Sequence, residues 1–141
     1  MKLSEETKDL IRQEYTEWFD NQYGTLSKQR RKELGAVYTP PEITIQMIEL
    51  YPCETLKGKT ILDPACGSGN LLAACIIAGA DPELVYGNEY EASMVELCRS
   101  RLSKYGVPEH NIHQGDGTDL YCLENFGPDY EWPRVKAVAL F

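Results

Sequence analysis

Seven consecutive residues constrain this chain more than any others: Asp63-Pro64-Ala65-Cys66-Gly67-Ser68-Gly69. A short apolar run, Thr60-Ile61-Leu62, leads into the acid, and a stretch rich in Leu, Ala and Ile follows from Gly69 to Gly79. The first reads as a buried strand and the second as a helix. Between them, Gly67 and Gly69 allow a sharp turn and let the backbone approach a ligand with no Cβ in the way. The first N–H groups of the helix lack intrahelical partners and favour a ligand carboxylate, an interaction worth roughly 0.3–1 kcal/mol. A strand, a glycine turn and a helix in that order commit the region to an α/β fold.

The rest of the chain extends the pattern. Residues 84–89 form a second apolar run and 91–104 a helical one. Residues 111–116 and 134–141 supply a third and a fourth strand. Strands alternating with helices predict a parallel sheet with right-handed crossovers.

Upstream, Leu3, Thr7, Leu10, Ile11, Tyr15, Trp18, Phe19 and Tyr23 recur at helical spacing, so residues 3–23 predict an amphipathic helix ending near Gly24. The basic run Lys28-Gln29-Arg30-Arg31-Lys32 reads as a solvated helix face rather than a phosphate contact. Residues 35–42 are extended, because each residue before a proline is pushed out of the helical region. Thr39 is then expected as the N-cap of a helix over 41–51, with Pro40 and Pro41 in its first turn. That helix is expected to bury Ile43, Met47, Ile48 and Tyr51. The organisation predicted is an N-terminal helical segment, 1–34, followed by a ligand-binding half-domain, 35–141.

Charge narrows the function. The formal net charge is -8, whereas free nucleic-acid binding draws on Lys and Arg neutralising phosphates. Of the five cysteines none forms a C-x-x-C pair, so no zinc site is expected. Cys75 and Cys98 fall in helical patterns and read as small hydrophobes. No apolar run approaches the length of a membrane helix and the N-terminus does not resemble a signal peptide. The expectation is a reduced, cytoplasmic protein without membrane partners.

The turn itself speaks against a dinucleotide. That fingerprint needs a third glycine where Leu72 stands, and Asp63, four residues before the first glycine, would repel a pyrophosphate. An acid there suits a cationic ligand bearing an ammonium group. Glu89 ends the second strand, where an acid can accept from both hydroxyls of a ribose. Asp116 ends the third. Three acids at the carboxyl ends of consecutive parallel strands line the crevice in which open α/β sheets bind ligands. His110 and His113 read as surface or structural residues rather than bases.

These motifs resemble the class I S-adenosylmethionine-dependent methyltransferases, and specifically their DNA adenine-N6 branch. D-P-A-C-G-S-G over 63–69 is similar to that branch's cofactor motif, with Leu71 where an aromatic is usual. Gly35 to Glu42, containing Y-T-P-P-E, is similar to its upstream cofactor loop. The resemblance implies a partial Rossmann-like fold with four parallel strands in the order 3-2-1-4, helices on both faces and an N-terminal helical extension. It implies S-adenosyl-L-methionine as cofactor, with Tyr38 and Thr39 covering the methionine end. Asp63 and the backbone around Ala65 would hold the amino group, with Gly67 and Gly69 forming the turn. Glu89 would take the ribose, Asp116 the adenine amino group, and Tyr90 would pack on the adenine ring or serve a structural role.

The branch's catalytic proline-proline-aromatic motif does not occur in these residues: the sole Pro-Pro is Pro40-Pro41, followed by Glu42. No catalytic residue is therefore assigned. The expectation is the cofactor-binding portion of a DNA adenine-N6 methyltransferase that acts on DNA only as part of a longer or completed enzyme. The alternative is a non-catalytic regulator or interaction protein descended from one. Val135 to Phe141, an apolar strand with one charge, is expected to expose an edge through which the chain self-associates or pairs with a partner chain.

Overall fold

The computed structural model describes residues 1–23, 28–29, 39–117 and 138–139. Its sheet is built on three parallel strands, β1 (Ile61–Asp63), β2 (Val85–Glu89) and β3 (Ile112–Gln114), with β2 in the centre. Ile61 pairs with Val85 and Asp63 with Gly87; Gly87 in turn pairs with Ile112 and Glu89 with Gln114. On the other side of β1, Val138 and Ala139 lie parallel to it, opposite Ile61 and Leu62. The remainder of the expected fourth strand, and with it the expected edge, lies outside the described residues.

Among the described residues four helices of eight or more residues accompany the sheet: α1 (Glu5–Trp18), α2 (Pro41–Glu49), α3 (Asn70–Ile77) and α4 (Ala92–Ser103). Helices α3 and α4 are the crossovers β1-α3-β2 and β2-α4-β3. Two right-handed crossovers stepping the same way along a sheet put both helices on one face. Cys66 and Cys98, 3.9 Å apart, mark where the head of α3 meets α4. Helices α1 and α2 pack on α3 and on each other. Among the described residues the helices expected on both faces are thus represented by this one layer. Leu71 to Cys75 are all buried, as expected of a helix covered on every side. With Ile11, Ile45, Ile48, Ile61 and Val85 they form a single core.

Local chemistry explains the element ends. Ser4 caps α1, its Oγ accepting from the Thr7 N–H at 3.1 Å, with Glu5 and Glu6 in the first turn. After Trp18 the helix loosens into a π-turn, Phe19–Tyr23. Leu3, Ile11 and Trp18 form its buried stripe, while Leu10 is 49% exposed. Lys28 and Gln29, the described part of the basic run, are helical and exposed.

Two expectations for α2 are corrected. Its N-cap is Pro40, not Thr39, with ψ 151° and no side-chain cap. Pro40 itself precedes a proline, so the restriction that extends Thr39 also keeps Pro40 out of the helix. Glu42, in the first turn, accepts from Arg12 of α1 at 2.6 Å. The buried face is Thr44, Ile45 and Ile48, with Met47 and Tyr51 at its margin, and Ile43 is 46% exposed. At 3.6 residues per turn Ile43 sits roughly 150° from the centre of that face. Among the described residues no helix is long and apolar enough to cross a membrane.

Candidate functional site

The carboxyl ends of the three strands carry the residues that the sequence marks. Asp63 ends β1 almost completely buried, and its Oδ1 accepts from the Ala65 N–H at 3.0 Å. Burial lifts this carboxyl to a pKa of about 6, opposed by the Ala65 hydrogen bond and reinforced by the nearby negative charge of Glu89. The site therefore holds a buried acid short of positive charge.

The turn that follows uses its two glycines differently. Gly67 and Gly69 both have positive φ, 53° and 89°, which other residues adopt only under strain. A Cβ on Gly67 would meet nothing within 4 Å among the described residues, so they leave that side of the turn open. A Cβ on Gly69 would lie 2.9 Å from Cys98 Sγ and 3.4 Å from Leu102. Gly69 is thus also required by packing against α4. Ser68, between them, is buried with its Oγ unpartnered among the described residues.

Glu89 ends β2, two residues beyond the level of Asp63, which is a rise of about 6.6 Å along the sheet. Its Oε2 accepts from the Glu91 N–H at 3.1 Å, which orients the carboxylate at the head of α4. Tyr90 is 69% exposed, so its ring is not part of the core. Asp116 follows β3 by two residues and is exposed. Ala65 is exposed on the turn, whereas Thr39 is half-buried and forms no hydrogen bond with any described residue. Tyr38 lies outside the described residues. Among those residues no group of three His, Cys, Asp or Glu side chains is placed to hold a metal ion.

Two features that sequence reasoning missed hold these ends together. Asn88, fully buried in β2, donates from Nδ2 to the carbonyls of Pro64 at 3.2 Å and Gly115 at 3.0 Å. Its Oδ1 accepts from His113 Nδ1 at 3.1 Å, which gives His113 the structural role expected of it. One amide thus stitches the loops after β1 and β3 to the central strand. A polar side chain inside an apolar strand was the available signal. The second feature is Cys66, whose Sγ fills the space a Cβ on Gly87 would need, 2.8 Å away. Cys98 and burial push its thiol well above its ordinary pKa, and burial pushes Cys75 up to about 12. These cysteines pack as small hydrophobes.

Residues 7–121 match the family model for N-6 DNA methylase. The chain belongs to that family. It is 36% identical over 95 residues to the type II methyltransferase M.VspI of Vibrio sp. (strain 343), covering 65% of this chain and 22% of that protein. It is 34% identical over 122 residues to the type I restriction enzyme MjaVII methylase subunit of Methanocaldococcus jannaschii, covering 82% of this chain and 20% of the relative. A tRNA (guanine(10)-N2)-dimethyltransferase of Pyrococcus abyssi shares 34% over 91 residues, 64% of this chain and 26% of its own length. The chain therefore spans about a fifth to a quarter of the length of these relatives.

Proposed function

We propose that this chain is the S-adenosyl-L-methionine-binding portion of a DNA adenine-N6 methyltransferase, and that the residues holding the target base lie outside it. The observation that carries the reading is Asp63, a buried carboxylate with no cation beside it among the described residues, four residues ahead of the first glycine of the turn. An ammonium group placed there would supply the missing positive charge. The N–H of Ala65 is already donated to Asp63, so its carbonyl is left to accept from the same group. The N-terminus of α3 favours the ligand carboxylate. Glu89, oriented through Oε2, keeps Oε1 for a ribose hydroxyl, and the exposed Tyr90 ring and Asp116 face the adenine.

When bound, S-adenosyl-L-methionine supplies a methyl group already activated by a sulfonium, so this half needs no general base. Its residues orient the donor. The four-strand order 3-2-1-4 belongs to this proposal, with Val138 and Ala139 as part of the fourth strand. So does a place in the cytoplasm, beside DNA. The likeness to a tRNA guanine methyltransferase supports a division in which this half carries the cofactor and other residues choose the base.

Calorimetric titration with S-adenosylmethionine and its demethylated product tests the reading. Dissociation constants in the micromolar range are expected, about -8 kcal/mol, with binding abolished by Gly67→Val. No saturable heat up to millimolar ligand would overturn it.

A further inference from the structure

A basic residue reaches the glycine turn from inside the helical layer. Arg101 of α4 is 3% exposed, and every nitrogen of its guanidinium is engaged. Nε and Nη2 donate to the two carboxylate oxygens of Glu14 at 2.7 and 2.6 Å, a bidentate pair. The guanidinium carbon lies 4.4 Å from the centre of the Trp18 ring. Nη1 points the other way, donating to Asn70 Oδ1 and reaching the Ser68 carbonyl at 3.5 Å.

Glu14 and Trp18 are one helical turn apart on α1. Ser68 and Asn70 stand on either side of Gly69, the left-handed residue that turns the chain into α3. We propose that Arg101 is a positioning residue for the glycine turn, and that α1 acts through it as a brace for cofactor binding. The N-terminal helix is then a working part of the site, although it supplies no group to the ligand. Removing Glu14 and Trp18 from Arg101 frees the guanidinium to swing, and the turn loses the contact that holds it from behind. The inference rests on the cofactor reading only for the ligand used as a probe.

The test uses Glu14→Met combined with Arg101→Met, which replaces the buried pair by apolar side chains of similar length and commonly preserves stability. Amide hydrogen exchange over residues 67–71 is followed in the unliganded chain, beside the thermal midpoint and the affinity for S-adenosylhomocysteine. The expected result is a midpoint near that of the parent and unchanged exchange in β2. Exchange in the turn should be faster and binding weaker, each by roughly tenfold. A folded double variant whose turn exchanges as in the parent would overturn the brace. Should the double variant fail to fold, Asn70→Ala removes the turn-side anchor alone: faster exchange over 67–71 supports the proposal and parental exchange ends it. If the parent chain binds no S-adenosylhomocysteine, the cofactor reading fails, and the exchange comparison still decides the brace.

Discussion

Two ion pairs leave α1 two residues apart and meet different surroundings. Arg12 reaches across to Glu42 at 2.6 Å and joins α1 to α2, with side chains 37% and 59% exposed. Glu14 takes Arg101 at 2.6 Å and joins α1 to α4, with side chains 15% and 2% exposed. The partners are the same in kind and the distances equal, but water competes for the first pair and not for the second. Breaking the first hands each ion back to solvent, while breaking the second strands a charge in the core. An ion pair's length therefore says little about its importance in this molecule; its surroundings decide.

The contrast can be broken most forcefully at Glu14. Glu14→Gln keeps the shape of the side chain and leaves the Arg101 charge without its counterion, an effect of about 3–5 kcal/mol on unfolding free energy. Urea denaturation would show it, and a loss well under 1 kcal/mol would mean that the buried pair behaves like a surface pair.

Asp63 sharpens the comparison as an acid that is buried and lacks a cation. Its folded-state pKa, raised to about 6 from 3.8, lies above the unfolded value, so the native state binds the extra proton in between. Its contribution to stability therefore grows as pH falls from above 6 towards 4, and is lost as pH rises. Asp63→Asn should remove that slope and stabilise the unliganded chain at pH 8 by on the order of 2–3 kcal/mol. The same proton competes with a ligand ammonium, so cofactor affinity in the parent should fall as pH drops through 6. Denaturation midpoints across pH 4–8 that run parallel in parent and variant would contradict this account.

The smallest effect is expected at the exposed pair. Arg12 holds the Glu42 carboxyl below its ordinary pKa, through a hydrogen bond opposed by partial desolvation. Yet both groups remain in water, and Glu42→Gln should leave the thermal midpoint unchanged within measurement. A clear drop would show that the joint between α1 and α2 is more than a solvated contact.

The parts of the site that were legible in the sequence are those whose causes are local. Asp63, Glu89 and Asp116 stand where apolar runs give way to turns, and strand periodicity alone puts them at one end of the sheet. The α/β class followed from the same alternation. Thr39 was misjudged although its neighbours were legible, because two consecutive prolines restrict two preceding residues and move the cap by one. Gly69 reads in the sequence as part of a ligand turn; that α4 also requires it shows only in the approach of Cys98 and Leu102. The partnership of Glu14 with Arg101 spans 87 residues. In a chain with 14 basic and 22 acidic residues, no spacing rule singles out one such pair. Asn88 left a trace, but an asparagine beside a strand-end acid does not reveal which carbonyls it will meet.

That asparagine has a further consequence. The groups that would attract a ligand at the strand ends are acids, and acids respond to pH and salt. The group that holds those strand ends together is a neutral amide. Its Oδ1 accepts a hydrogen bond from His113 Nδ1. Form and affinity are thereby assigned to different chemistry. If the proposed reading holds, mild acid or high salt would empty the crevice without collapsing it, and the vacated site would keep its outline for the next molecule.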